Sequence, residues 1–67
     1  MKLKRAFKTF GKNHILNYLI DFFGYNIDRK DSINNIVDDF SESQLNAISE
    51  HINTYQDNPD FWNYSYY

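Results

Sequence analysis

The stretch FSESQL, which begins at Phe40, constrains the fold most strongly because it fixes where a helix starts. Ser41 is followed three positions later by Gln44, the spacing of a capping box in which each side chain bonds the other residue's backbone N–H. Phe40 and Leu45 flank the box at the two positions of a hydrophobic staple. Two independent signals therefore predict a helix over residues 42–56.

Apolar residues at helical spacing fill this helix and predict three more, over about residues 2–10, 14–23 and 29–40. The inward positions of the last two predicted helices are Ile33, Ile36, Val37 and Phe40, then Leu45, Ile48, Ile52 and Tyr55. No stretch alternates with the period of two that marks a strand. We expect an all-α fold, a small compact bundle of three to four short helices in a single domain over residues 1–67.

The helix boundaries follow from turn-forming residues. The apolar face changes sides between Phe10 and Ile15, so we expect a break at that point, with Gly11 ending the first helix and Asn13 capping the second. Gly24 is expected to end the second helix. Asp28 is expected to cap the third.

The last ten residues, NPDFWNYSYY, form an aromatic C-terminal segment at 58–67. Asn58 and Pro59 suit the start of a short helical turn, since Asn caps well and Pro is tolerated in a first turn. We expect Phe61 and Trp62 to fold back on the core. The tyrosines that follow are better candidates for contact with a partner, namely Tyr64, Tyr66 and Tyr67.

Composition excludes several ways of stabilising so short a chain. It has no cysteine and two histidines, so we expect no disulfide, no metal site and no cofactor. Six Phe, six Tyr and one Trp must supply much of the buried surface. The longest apolar stretch, 15–23, is too short to span a membrane, and the basic start MKLKRAFK lacks the apolar region of a signal peptide. A cytoplasmic protein is expected.

Charge is unevenly distributed along the chain, although the formal net charge is only −2. Residues 31–67 contain seven acids and no Lys or Arg. Residues 1–12 form a basic N-terminal arm or helix without acids, whose cations are Lys2, Lys4, Arg5, Lys8 and Lys12. Both ends could be solvated surfaces, or each could meet a partner of opposite charge.

The basic arm is the candidate for nucleic-acid contact. Its cations alternate with Phe7 and Phe10, a pattern that suits single strands or a minor-groove arm. The same pattern makes an amphipathic helix that docks on the core or lies on an anionic membrane, and docking is favoured in so small a domain. The third and fourth helices outline a helix-turn-helix, but the outward face of the fourth carries no cation, so a recognition helix is disfavoured.

An enzyme is not expected. His14 or His51 could pair with Glu50 or Asp21 for acid–base chemistry, but no nucleophile, metal site or pocket accompanies them. We expect both histidines at the surface or its boundary.

The leading hypothesis is a protein-binding factor with an acidic face and an aromatic anchor. The acids of the face are Asp38 and Asp39, together with Asp31, Glu42 and Glu50, and the anchor is Trp62 with Tyr64, Tyr66 and Tyr67. In size, acidity and aromatic content the chain is similar to phage-encoded inhibitors that imitate DNA. This resemblance implies an inhibitor from a phage or mobile element, of anti-CRISPR or DNA-mimic type, that blocks a nuclease or other nucleic-acid-handling protein in the host cytoplasm. The alternatives are a nucleic-acid-binding regulatory protein that acts through the basic arm, and an assembly subunit of a homo-oligomer.

Overall fold

The computed structural model describes residues 2–62, and this part of the chain folds into helices joined by turns and one longer loop. The helices are α1 (Leu3–Phe10), α2 (Lys12–Asp21), α3 (Ile33–Asp38), α4 (Glu42–Tyr55) and α5 (Pro59–Trp62). The predicted all-α fold is confirmed. Tyr64, Tyr66 and Tyr67 lie outside the described residues.

A single glycine separates α1 from α2. The backbone N–H of Gly11 donates to the Phe7 carbonyl at 3.0 Å and closes α1, while the Gly11 carbonyl accepts from the N–H of Ile15 at 3.2 Å and opens α2. Gly11 has φ of 97°, a region that favours glycine. The predicted break is confirmed, but the predicted cap at Asn13 is wrong: Gly11 is the N-cap, so Asn13 lies within the first turn of α2.

The second helix ends two residues earlier than predicted, at Asp21. Gly24 has φ of 74°, and the N–H of Tyr25 reaches back to the Leu19 carbonyl at 3.2 Å. Gly24 therefore lies in the turn that follows α2, three residues beyond the last helical residue.

The third helix is about half as long as predicted because a different residue caps it. Ser32 accepts a hydrogen bond from the N–H of Asn35 at 3.2 Å, so α3 begins at Ile33. Asp28, the predicted cap, instead accepts from the N–H of Lys30 at 2.9 Å and closes a turn within the preceding loop. A cap bonds the backbone two or three residues ahead of it, and the turn at Asp28 does so without a helix following.

The capping box of α4 is confirmed in both directions. Ser41 accepts from the N–H of Gln44 at 3.2 Å, and the Gln44 side chain accepts from the N–H of Ser41 at 2.8 Å. Phe40 and Leu45 are partly buried against the core, as the staple requires. The short C-terminal turn is confirmed too, since the Asn58 side chain accepts from the N–H of Asp60 at 2.9 Å.

The core surrounds α2, in which all side chains from His14 to Leu19 are buried. The predicted docking of α1 is confirmed, because α1 contacts α2, α3 and α4. Phe61 is buried as predicted, whereas Trp62 is exposed over 49% of its surface. The buried residues from the other helices are Leu3, Ala6 and Phe7 of α1, Ile36 of α3, Ile48 and Ile52 of α4, and Phe61 of α5.

Replacing Ser41 with Ala removes one half of the capping box and should lower the free energy of unfolding by about 1 kcal/mol. Ser43→Ala is the matched control, because Ser43 is an exposed serine in the same helical turn. We expect the control to change stability by less than about 0.5 kcal/mol. Equal urea midpoints for the two variants would show that the box does not stabilise α4.

Candidate interaction surfaces

Aromatic rings line one side of α2 and hold α4 and α5 to it. We call these rings the aromatic layer. It consists of Phe10 from α1, His14 and Tyr18 from α2, Phe22 directly after α2, His51 and Tyr55 from α4, and Phe61 and Trp62 from α5. The His14 and Phe61 ring centroids lie 4.6 Å apart, those of Tyr18 and Phe61 5.1 Å, and those of Phe22 and His51 4.7 Å. The layer thus runs continuously from Trp62 to Phe22.

Sequence reasoning missed this layer, although a signal for it is present. His14, Tyr18 and Phe22 recur at every fourth position, the spacing that places side chains on one helix face. Phe10 precedes the break at Gly11, so this spacing does not predict its place in the layer.

Trp62 lies at one end of the layer, with a fixed orientation and a large exposed surface. Its ring packs edge-on against Phe10 at 5.4 Å and against His14 at 5.5 Å. Its Nε1 donates a hydrogen bond to the Gln56 carbonyl at 2.9 Å. Half of the indole remains exposed. A large ring that is already held in place is well suited to anchor an interface, since little side-chain entropy is lost on binding.

Phe22 lies at the other end and is exposed over 44% of its surface. Its ring stacks on Tyr18 at 5.5 Å and also contacts His51 and Tyr55. Those two α4 residues help to line a shallow groove of about 440 Å³ together with Ala47, Glu50 and Thr54. Phe22 falls near the end of the helix predicted over 14–23, so it is an exposed aromatic that the predicted site did not include.

Four of the five acids of the predicted face are exposed and Asp31 is half-buried, but they border different parts of the surface. Asp39 lines a cleft of about 410 Å³ that also contains Asp28 and Asp31, with Tyr25 and Phe40 among its walls. Glu42 lines a separate depression with Lys2 and Lys4, and Glu50 lines the groove next to His51. Asp38, the neighbour of Asp39, is exposed at the end of α3.

The five predicted cations separate into a group of four and one that has a structural role. Lys2, Lys4, Arg5 and Lys8 are exposed and together line a shallow depression of about 310 Å³ on α1. Lys12 instead donates from Nζ to the Asp31 carbonyl at 2.6 Å, which ties the start of α2 to the loop before α3.

A second cation holds the same loop. Arg29 donates to the side chain of Asn17, a polar residue that is only 1% exposed in the middle of α2. Two hydrogen bonds from basic side chains therefore fix the long connection between α2 and α3.

The two histidines belong to the aromatic layer and not to an acid–base pair. His14 is 3% exposed, so its predicted position at the surface is wrong; it is enclosed by the rings of Phe10, Phe61 and Trp62. His51 is half-buried, and a hydrogen bond joins its Nδ1 to the Tyr18 hydroxyl.

Burial has a measurable consequence for His14. Its Nε2 is buried without a hydrogen-bond partner. Desolvation lowers the pKa of His14 below its ordinary value of 6.5, although a hydrogen bond to the backbone of Phe61 acts in the opposite direction.

Two further properties concern residues 2–62. They contain no cluster of three or more His, Cys, Asp or Glu side chains placed to hold a metal ion. Within the same range, no helix is both long and apolar enough to cross a membrane.

No known protein family, curated protein or solved structure matches the chain. Its function must therefore be inferred from the surfaces described above.

The lowered pKa of His14 predicts that the fold loses stability as the pH falls below about 6.5. In that range the histidine takes up a proton in the unfolded chain but resists protonation in the folded chain. The contribution of neutral His14 to the free energy of unfolding is therefore fully present above about 6.5, and it is lost as the pH falls towards the lowered pKa. Each unit of pKa difference corresponds to about 1.4 kcal/mol.

Urea unfolding at pH 7.5, 6.0 and 5.0 measures this effect, with His14→Phe as the variant that cannot titrate. We expect the variant to lose less stability over the range than the natural chain. An NMR titration that places the pKa of His14 at or above 6.5 would contradict the prediction.

Proposed function

We propose that this chain is a small non-enzymatic protein-binding factor that covers a surface of a larger protein. Trp62 carries the proposal, because its half-exposed ring is held both by ring contacts and by the hydrogen bond from Nε1 to the Gln56 carbonyl. Protein interfaces draw most of their binding energy from a few such Trp, Tyr and Arg anchors. Tyr64, Tyr66 and Tyr67 are proposed to extend the anchor.

The exposed acids indicate that the proposed partner has a basic surface. Asp38, Asp39, Glu42 and Glu50 would attract a basic surface and accelerate association, as complementary charges do at low salt. Their distribution over several parts of the surface supports a role in long-range attraction more than in one buried ion-pair cluster. A basic surface is typical of proteins that handle nucleic acid.

The proposed role is therefore a stoichiometric inhibitor of a host nuclease or other nucleic-acid-handling or defence protein in the host cytoplasm. An origin in a phage or mobile element, with an anti-CRISPR or DNA-mimic mode of action, is supported by the similarity in size, acidity and aromatic content. It belongs to the same proposal.

Trp62→Ala should weaken binding of the partner roughly 30-fold or more, because truncating a central aromatic anchor costs about 2 kcal/mol or more. Phe22→Ala is the matched control, since it removes a comparable exposed ring from the opposite end of the layer. The natural chain and both variants are immobilised, exposed to bacterial lysate, and compared by quantitative mass spectrometry. Far-UV circular dichroism checks that each variant remains helical.

The proposal is supported if one protein is retained by the natural chain and by Phe22→Ala but lost with Trp62→Ala. Equal retention by all three chains would exclude Trp62 as the anchor. Light scattering of the natural chain alone tests the alternative of an assembly subunit: a defined oligomer that Trp62→Ala dissociates would mean that the anchor serves self-association.

A further inference from the structure

The first helix has one face in the core and a second face that is mainly cationic. Leu3, Ala6 and Phe7 are buried on one side. At about 100° per residue, the exposed Lys4, Arg5 and Lys8 lie on the opposite side, together with the uncharged Thr9. Lys2, the N-cap residue before the helix, lines one depression with these three cations. We call this second side the cationic face of α1.

Little on the protein neutralises this face. The helix LKRAFKTF contains no acid. Glu42 lies near its start, in the depression that it shares with Lys2 and Lys4, whereas Arg5 and Lys8 border the depression formed by the four cations alone. Over six residues at about 1.5 Å per residue, the four charges extend along roughly 9 Å of helix axis.

The burial of the aromatic residues decides what kind of anion fits. Stacking on single-stranded bases requires exposed rings next to the cations. Phe7 is 2% exposed, and Phe10 packs against the core and the ring of Phe61. Neither aromatic residue of α1 therefore offers a stacking platform beside the cations.

An anionic membrane fits less well than a polynucleotide. A helix that lies in a membrane interface inserts its apolar face between the lipids. In α1 that face is occupied by the protein core, so only the cations could reach the lipid headgroups.

We propose that the cationic face of α1 binds the phosphate backbone of duplex nucleic acid without reading its sequence. Four cations can neutralise about four phosphates, which makes the affinity dependent on salt, while the acids elsewhere on this chain of net charge −2 keep the affinity low. This contact is independent of Trp62. A chain with both surfaces could hold a protein and the nucleic acid bound to that protein at the same time.

Fluorescence polarisation of a labelled 20-base-pair DNA duplex tests the proposal over a series of salt concentrations. Neutralising four phosphates predicts a slope of log Kobs against log salt of about −3.6, at roughly −0.9 per contact. Lys4→Gln combined with Lys8→Gln should make the slope shallower by about two. A second duplex of unrelated sequence should bind equally well.

Lys30→Gln is the matched control, because it removes one exposed cation that is not on α1. Lys12→Gln is a second control, since Lys12 is engaged with the Asp31 carbonyl. Both should leave the slope unchanged. The proposal is overturned if the duplex does not bind at 25 mM salt, if Lys30→Gln makes the slope shallower by about one, or if a single strand binds better than the duplex.

Vesicles of anionic lipid provide the remaining arm of the test. Binding to vesicles without binding to the duplex would assign the cationic face to a membrane and overturn the proposal. Any of these negative results leaves the comparison of Trp62→Ala with Phe22→Ala unaffected, so the two proposals fail separately.

Discussion

Burial of the middle of α2 on all sides, from His14 to Leu19, is the constraint on which the rest of the structure depends. A helix segment of six consecutive buried residues must be covered by other elements in every direction. Its Ile15, Leu16 and Leu19 belong to the aliphatic part of the core, while His14 and Tyr18 belong to the aromatic layer. In a chain without cysteine, these two kinds of contact must supply the stability that a disulfide supplies in many domains of this size.

The aromatic layer also explains why the candidate anchor is rigid. Trp62 and Phe22 both belong to a continuous set of ring contacts, which extends beyond Phe22 through Phe23, so each exposed ring rests on buried ones. The exposed surfaces of these two rings are therefore in direct contact with the core. The cationic face of α1 has the same origin, because the apolar side of that helix is used for packing and the cations are left on the outside.

Features fixed by neighbouring residues could be predicted from the sequence, and features fixed by distant ones could not. The start of α4 was predictable because Ser41 and Gln44 satisfy each other within one turn. The start of α3 was not, since Asp28 and Ser32 are both good caps, and sequence does not show which of them a helix will follow. The burial of His14 depends on the packing of α5. The hydrogen bond that Lys12 donates depends on the Asp31 carbonyl, 19 residues away. The candidate anchor at Trp62 was predictable by residue type, whereas its fixed orientation and the exposure of Phe22 required the packing of α5 and α4 on α2.

The effect of Phe61 on stability tests whether the aromatic layer holds the helices together. Its ring lies at the centre of that layer, where it contacts Phe10, His14, Tyr18 and Trp62. Urea unfolding of Phe61→Ala, followed by circular dichroism, should show a loss of about 3–5 kcal/mol, enough to unfold much of so small a domain. Asp60→Ala, an exposed neighbour in the same turn, should change stability by less than about 0.5 kcal/mol. If Phe61→Ala unfolds at the same urea concentration as Asp60→Ala, the aromatic layer does not hold the helices together.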